Sequence, residues 1–172
     1  GNVVTTLEPA VSRLLDTVLQ KTNDQYHSKM TGAIMMDPNT GAIYAMNAVP
    51  TFDLNKREDA TIEEFRNPLV EDVYEMGSII KPLTMAAGLD SGAVTRGTTY
   101  FDPGCIDLNT YTMCNFDKKG RGTVPMQEVL NQSLNTGVAF IADRMGKEPF
   151  RDYFLNYGLG EPTGIDLPGE AH

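Results

Sequence analysis

Residues 74–82 read Tyr74-Glu75-Met76-Gly77-Ser78-Ile79-Ile80-Lys81-Pro82. A serine three residues before a lysine places a hydroxyl and an amine on the same side of one helical turn. The stretch predicts a helix that starts at Ser78, with Ser78 as its cap, and continues through Leu89. Pro82 is tolerable there, because a proline in the first turn gives up at most one hydrogen bond.

The two side chains are suited to nucleophilic catalysis. A serine hydroxyl is a weak nucleophile until a base removes its proton, and a lysine is such a base only when its amine is neutral part of the time. Burial and nearby positive charge lower the pKa of a lysine, and a helix N-terminus favours negative charge on Ser78. Ser78 is therefore a candidate nucleophile and Lys81 its candidate base, with the backbone N–H of Ser78 as one half of an oxyanion hole.

A second element follows at Ser133-Leu134-Asn135. Ser133 could relay a proton between Lys81 and a leaving amine, and Asn135 could hold Lys81 and a substrate amide. Taken singly, these residues have simpler explanations: Ser78 is most often a helix cap and Lys81 an exposed charge, and the second element a turn or another cap. The ordered combination favours catalysis.

Composition limits the other classes of function. The chain has 172 residues, enough for one domain with a core, and its formal net charge of -9 gives no electrostatic case for nucleic acid. No apolar run is long enough to span a bilayer. No cofactor is expected, and no metal: neither His27 nor His172 lies near Cys105 and Cys114, and a closed zinc site needs four ligands.

Apolar spacing predicts the elements around these motifs. A helix is predicted over roughly residues 7–22, and two strands over residues 32–37 and 42–46 with a turn at residues 38–41. The remaining predictions are a short helix near Ile62–Phe65, a loop-rich segment over 91–123, helices over Val124–Leu130, Asn135–Met145 and Pro149–Tyr157, and an extended tail over 163–170.

In this order the motifs resemble the class B, monofunctional penicillin-binding proteins, whose Ser-x-x-Lys and Ser-x-Asn elements match Ser78–Lys81 and Ser133–Asn135. Four further stretches resemble the family: Met36-Asp37-Pro38-Asn39-Thr40-Gly41-Ala42-Ile43-Tyr44-Ala45-Met46, Pro50-Thr51-Phe52-Asp53-Leu54-Asn55, Arg66-Asn67 with Tyr74-Glu75, and Gly158-Leu159-Gly160 with the segment 163–170. The resemblance covers nearly the whole chain.

The resemblance implies a serine β-lactamase/transpeptidase-like α+β fold, with a helical region and part of a five-stranded antiparallel sheet. It implies that Ser78 is acylated, that Lys81 is its base, and that Ser133 and Asn135 belong to the proton relay and the substrate cleft. The implied reaction cross-links peptidoglycan stem peptides at their D-alanyl-D-alanine ends, and β-lactam antibiotics block it by trapping the serine.

The resemblance also implies a place of action. This place is the extracytoplasmic face of the bacterial cell membrane, alongside other proteins of a cell-wall synthesis complex.

Cys105 and Cys114 could be two free thiols or could close a small disulfide loop. An oxidising compartment favours the disulfide.

The sequence departs from the family at two points. Met76 stands where the family usually has proline, and the third family motif, Lys-Ser/Thr-Gly, does not occur in residues 1–172. In the family that motif lies on a strand that lines the cleft and supplies the second oxyanion N–H. We therefore expect residues 1–172 to be the N-terminal portion of a transpeptidase domain, whose C-terminal segment lies elsewhere. Two alternatives stay open: a serine β-lactamase, and a non-catalytic β-lactam-binding sensor or scaffold of the same fold.

Overall fold

Helices and antiparallel strands both form in this chain. The computed structural model describes residues 2–171, except for the side chain of Asp59. It divides into two units: the chain up to Val73 together with the residues from Gly164 onwards, and residues Tyr74–Thr163. The α+β class expected from the sequence is confirmed, and the predicted site residues all belong to the second unit.

Helix α1, Pro9–Tyr26, is the first element of the first unit. It begins at a proline, which suits the first turn because an N–H there has no partner within the helix. The residue that follows its end, His27, has a left-handed φ of 51° and caps the helix. The helix predicted over residues 7–22 is confirmed in its centre but extends further, since residues 23–26 contain no helix breaker.

Strands β1, Thr31–Met36, and β2, Ile43–Val49, pair antiparallel and confirm the predicted hairpin. At its turn the amide of Asp37 donates to the Ala42 carbonyl and the amide of Gly41 donates to the Asp37 carbonyl, each at 2.9 Å. Helix α1 packs against β2. Among the described residues this sheet has two strands, where the resemblance implies five in a complete domain.

The segment after β2 contains three short helical pieces. Two are 3₁₀ turns, Arg57–Asp59 and Glu63–Phe65, and the second of these confirms the predicted short helix. The third, helix α2 at Pro68–Glu71, was not predicted. Its cap is Asn67, whose Oδ1 accepts a hydrogen bond from the Leu69 amide at 3.1 Å. Four residues are too few for a helical period to show in the sequence.

The C-terminal tail differs from its predicted extended form. The chain turns over residues 166–169, which include the turn-favouring pair Pro168-Gly169. Beyond the turn, the Ala171 amide donates to the Val70 carbonyl at 2.9 Å. The tail is thereby joined to helix α2 of its own unit.

The helices of the second unit surround its core. They are α3, Lys81–Asp90; α4, Met126–Asn131; α5, Asn135–Met145; and α6, Lys147–Asn156. Helices α3 and α5 approach closely because Gly88 has no side chain: a Cβ there would lie 2.4 Å from Cγ2 of Ile141. The buried apolar residues of this core are Met85, Ala87, Val94, Tyr100, Met126, Val129, Leu134, Ile141 and Met145.

The predicted bounds agree with the structure for α5 but not for α6. Helix α5 has the predicted bounds, and α6 begins two residues before its predicted start at Pro149. No helix among residues 2–171 has the length and apolar character needed to cross a membrane.

The segment over residues 91–123, predicted to be loop-rich, contains most of four strands. Strand β3, Thr99–Asp102, pairs with β6, Gly122–Pro125, and strand β4, Cys105–Leu108, pairs with β5, Tyr111–Cys114. The prediction was wrong because each strand has only four residues, too few to show an alternation of apolar and polar side chains.

Helix α4 starts later than predicted for a related reason. Val124 and Pro125, expected in its first turn, pair with Tyr100 and Thr99 as the end of β6. Pro125 has extended backbone and precedes the first helical residue, Met126. Pairing with a strand more than twenty residues away in the sequence therefore overrides the local helical pattern.

A buried carboxylate joins these strands to helix α5. Asp102, at the end of β3, is 1% exposed. It accepts hydrogen bonds from the amide of Gly104 at 2.9 Å, the amide of Arg121 at 3.1 Å, Nδ2 of Asn115 at 2.9 Å and Oγ1 of Thr136 at 2.8 Å. Burial by itself raises the pKa of Asp102, but these hydrogen bonds outweigh it, so the pKa lies below its ordinary value of 3.8.

We expect Asp102→Asn to destabilise the protein by about 1–3 kcal/mol, because an amide NH₂ would face the Gly104 and Arg121 amides and the Asn115 NH₂ group, which can only donate. Since the folded pKa is depressed, the wild-type carboxylate contributes stability above its ordinary pKa of 3.8 and loses it as the pH falls through the folded value. The variant should lack this component. Urea unfolding of the protein at neutral and acidic pH measures both effects.

Asp143→Asn is the matched control, because Asp143 is an exposed carboxylate on α5. Its stability should stay close to that of the wild type. Equal stabilities of the Asp102 variant and the control would contradict the role of the buried carboxylate.

Candidate active site

Ser78 and Lys81 lie where a 3₁₀ turn runs into a helix. Ser78 belongs to the turn Gly77–Ile80, and α3 begins at Lys81, whose amide donates to the Ser78 carbonyl. The prediction that Ser78 caps an α-helix is therefore corrected: the helical turn starts one residue earlier and is tighter. Pro82 is accommodated in the first turn of α3, as expected. The hydroxyl of Ser78 is on an exposed residue, whereas Lys81 is 8% exposed.

Ser133 lies between the other two side chains. The amine of Lys81 donates to Oγ of Ser133 at 2.9 Å and to its carbonyl oxygen at 2.6 Å. Oγ of Ser133 donates to Oγ of Ser78 at 3.0 Å. Within residues 2–171, no hydrogen bond joins Lys81 to Ser78 directly. The three groups thus form a continuous hydrogen-bonded chain with Ser133 in the middle.

Ser133 has an unusual backbone conformation. Its φ is 53°, in the left-handed region that residues other than glycine seldom adopt. The neighbouring backbone holds it there: the amide of Ser133 donates to the Leu130 carbonyl at 3.3 Å, and the amide of Leu134 donates to the Val129 carbonyl at 2.9 Å. Residues held in such conformations cluster at functional sites. The loop between α4 and α5 therefore fixes both the hydroxyl and the carbonyl that Lys81 contacts.

The environment of Lys81 favours its neutral form. Burial lowers the pKa of Lys81 below its ordinary value of 10.5. Within the described part of the chain, no carboxylate forms an ion pair with it, and its hydrogen-bond acceptors are both oxygens of Ser133. A neutral amine at this position can accept a proton.

Asn135 is placed differently from the expectation. It begins α5, and its Nδ2 donates to the carbonyl of Cys114 at 2.8 Å; the described residues show no hydrogen bond from its side chain to Lys81. The carboxamide is thereby oriented through its NH₂ group and keeps Oδ1 as an acceptor. Asn135 therefore belongs to the same loop and helix as Ser133 but not to the hydrogen-bonded chain of Ser78, Ser133 and Lys81.

Cys105 and Cys114 are joined by a disulfide, as the sequence favoured. They pair directly across β4 and β5, and we call the segment Cys105–Cys114 the disulfide hairpin. Next to it, Oδ1 of Asn115 accepts hydrogen bonds from the amide and Oγ1 of Thr136, each at 3.3 Å. Consecutive residues of the hairpin base, Cys114 and Asn115, therefore contact consecutive residues of α5.

Sequence reasoning missed this supporting layer of Asp102, Cys114, Asn115 and Thr136. The available signals were the cysteine pair and the turn-forming run Asp102-Pro103-Gly104, which precedes it directly. Neither indicates which later residue it contacts. Over residues 2–171, no cluster of three or more His, Cys, Asp or Glu side chains suits a metal ion.

The arrangement is suited to activating a serine. A hydroxyl hydrogen can rotate, so the proton of Ser78 can pass to Ser133 while that of Ser133 passes to a neutral Lys81. The exposed position of Ser78 leaves its Oγ open to a substrate.

The chain matches a family model described as the penicillin-binding protein transpeptidase domain, over residues 31–172. The probable peptidoglycan D,D-transpeptidase FtsI of Caulobacter vibrioides is 30% identical over 171 residues, which cover 99% of this chain and 29% of that protein. Stage V sporulation protein D of Bacillus subtilis is 30% identical over 168 residues, which cover 96% of this chain and 26% of that protein. The chain thus spans under a third of these curated relatives.

Solved structures agree on the fold. A crystal structure of a peptidoglycan glycosyltransferase from Burkholderia ambifaria superposes with a TM-score of 0.83 at 26% identity, over 98% of this chain and 49% of that one. The apo transpeptidase domain of Burkholderia pseudomallei penicillin-binding protein 3 gives 0.81 at 26% identity, over 99% and 48%. The expected transpeptidase-like fold is confirmed, and this chain belongs to the penicillin-binding protein transpeptidase domain family, in its class B branch.

Proposed function

We propose that this chain carries the nucleophile-bearing part of a serine-type peptidoglycan D,D-transpeptidase. The observation that carries the proposal is the hydrogen-bonded chain from the exposed Ser78 through Ser133 to the buried amine of Lys81. The substrate is a stem peptide that ends in D-alanyl-D-alanine. Membership of the family and the names of its relatives support this substrate class.

The proposed reaction has two halves. In the first, Oγ of Ser78 bonds to the carbonyl carbon between the two D-alanines, and its proton moves through Ser133 to Lys81. The same proton returns to the amine of the terminal D-alanine as the C–N bond breaks. In the second half, an amine of a neighbouring stem peptide attacks the acyl-serine and gives its proton to Lys81. The ester bond between the acyl carbon and Oγ of Ser78 then breaks as Lys81 returns the proton through Ser133 to Oγ, and the two peptides are cross-linked.

Stabilisation of the tetrahedral intermediate is shared, in this proposal, between two parts of the domain. The amide of Ser78 supplies one oxyanion donor, and Asn135 holds an amide of the substrate. The second donor comes from a strand that bears Lys-Ser/Thr-Gly. We propose that residues 1–172 are the N-terminal portion of the domain and that this strand belongs to its C-terminal segment, on the same or another polypeptide.

The cellular setting is proposed on the same basis. The enzyme acts at the extracytoplasmic face of the bacterial cell membrane, next to its peptidoglycan substrate and with other cell-wall synthesis proteins. The disulfide between Cys105 and Cys114 supports an oxidising compartment. β-Lactams mimic the D-alanyl-D-alanine end and acylate Ser78.

The nucleophile is tested with a fluorescent penicillin on the complete transpeptidase domain. Labelling should map to Ser78 by peptide mass spectrometry, and Ser78→Ala should abolish it, because Ser78 is the exposed end of the hydrogen-bonded chain to Lys81. Ser91→Ala is the matched control, since the Ser91 hydroxyl lies at the far end of α3, where it donates to the Gly88 carbonyl and accepts from the Ala93 amide. Full labelling of the Ser78 variant would refute the assignment.

Assays of the complete domain also distinguish a transpeptidase from the two alternative functions, a sensor or scaffold and a β-lactamase. Cross-linked product from D-alanyl-D-alanine peptides supports the proposed enzyme. Stable acylation without peptide turnover would instead indicate a sensor or scaffold, and rapid release of hydrolysed penicillin would indicate a β-lactamase.

The base is tested by Lys81→Ala and Lys81→Arg. Both should cut the acylation rate by about 10²–10⁴-fold, because alanine has no base and arginine cannot lose its proton in a protein. In the wild type, burial lowers the pKa of Lys81, so the rate should rise with pH and level off below the ordinary lysine value of 10.5. Stopped-flow acylation over a pH series measures both. An active Lys81→Arg variant would show that Lys81 serves only as a hydrogen-bond donor.

The proposed division of the domain is tested on residues 1–172 alone. A two-stranded sheet is marginal by itself, and Ile34, Met35 and Met36 of β1 are at least 45% exposed. Loss of one oxyanion donor typically costs about 10²–10³-fold in rate. We expect this piece to be poorly soluble as a monomer and slow to react with penicillin. Cooperative unfolding of a monomer that reacts at the rate of the longer protein would contradict the proposal.

A further inference from the structure

Asn135 takes its orientation from the disulfide hairpin. Its Nδ2 donates to the carbonyl of Cys114 at 2.8 Å, and Cys114 is one end of the disulfide. We propose that the Cys105–Cys114 disulfide is a positioning element of the substrate site, which holds the Cys114 carbonyl where it orients the Asn135 carboxamide toward a substrate amide. This inference rests on the role given to Asn135 in the proposed function.

The disulfide stabilises a hairpin that has little other support for its conformation. The hairpin consists of two four-residue strands that, among residues 2–171, pair with each other and with no third strand, and an isolated two-stranded hairpin is marginal in water. Asp107, Tyr111 and Thr112 along it are exposed. The disulfide joins the directly paired residues at its open end, the end that contacts α5, so it restrains the carbonyl that Asn135 uses.

Separate hydrogen bonds hold the base of the hairpin beside α5, so loss of the disulfide should disturb only the contact between Cys114 and Asn135 at the start of this helix. The amide of Asn115 donates to the Gly104 carbonyl at 2.8 Å, and its side chain joins Asp102 to Thr136. These bonds fix the base of the hairpin beside the helix, while the disulfide fixes the residue next to it.

Ser133 is held by other groups. Its oxygens are contacted by Lys81 and Ser78, and its loop is closed by backbone bonds to α4. Loss of the disulfide should therefore weaken recognition of a substrate amide and leave the activation of Ser78 intact. These two consequences can be measured separately.

The test uses the complete transpeptidase domain and two β-lactams that differ in one group. Benzylpenicillin carries a side-chain amide, whereas 6-aminopenicillanic acid has a free amine in its place. In the double variant Cys105→Ser/Cys114→Ser, we expect acylation by benzylpenicillin to slow by roughly 10–100-fold, as for other small misplacements of binding groups. Acylation by 6-aminopenicillanic acid should be unchanged.

A double-mutant cycle shows whether the effect passes through Asn135. In an Asn135→Ala background, removal of the two cysteines should cause no further loss with benzylpenicillin, because the group that they position is absent. Thr112→Val is the matched hairpin control. It removes the 2.6 Å bond from Thr112 to Asp107 at the other end of the hairpin and should leave both rates unchanged.

Reversible reduction of the disulfide in the wild-type domain shows whether a lower rate in the cysteine variant comes from loss of the disulfide and not from misfolding. The domain is treated with dithiothreitol, desalted and assayed, then reoxidised and assayed again; the benzylpenicillin rate should fall and recover with the thiol count. Equal losses with both β-lactams, no loss with either, or additive losses in the cycle would overturn the inference while the proposed function stood. Failure of both β-lactams to acylate the oxidised wild type would overturn the proposed function, and the inference with it.

Discussion

The burial of the Lys81 amine against Ser133 is the interaction on which the site depends. It brings together two segments 52 residues apart, the start of α3 and the loop before α5. The amine reaches two oxygens of one residue, so it holds both the backbone and the hydroxyl of Ser133. Because the same amine is the proposed base, the bond that assembles the site also keeps its proton acceptor away from water.

Lys81 and Asp102 are both buried in the second unit, but their surroundings favour opposite charge states. Burial alone favours the neutral form of each. Lys81 receives no carboxylate partner within the described residues, so its pKa falls and its neutral form becomes accessible. Asp102 receives hydrogen bonds from four residues, so its pKa also falls, which here stabilises the charged form. The first arrangement suits a group that must exchange a proton, and the second suits a permanent structural anchor.

Lys81 and Asp102 also form hydrogen bonds with different residues of the short segment 133–136. Lys81 fixes Ser133, whose φ of 53° needs such external support, and Asp102 fixes Thr136 three residues later. Asn135 lies between them and depends on the carbonyl of Cys114. The proposed proton-transfer residue Ser133 and the proposed substrate-binding residue Asn135 are therefore close in sequence but are held by separate contacts.

Sequence alone determined the elements whose signal is local. The helical spacing of α1 and α5, the alternation in the β1–β2 hairpin and the Ser78–Lys81 pair depend on residues a few positions apart. The tertiary structure alone decided the pairing of β3 with β6, the contact of Asp102 with Thr136 and the turn of Asn135 toward Cys114. Those contacts join residues 21 to 34 positions apart, or strands of four residues. A short strand shows no period, and a single side chain carries no record of its distant partner, so only packing selects them.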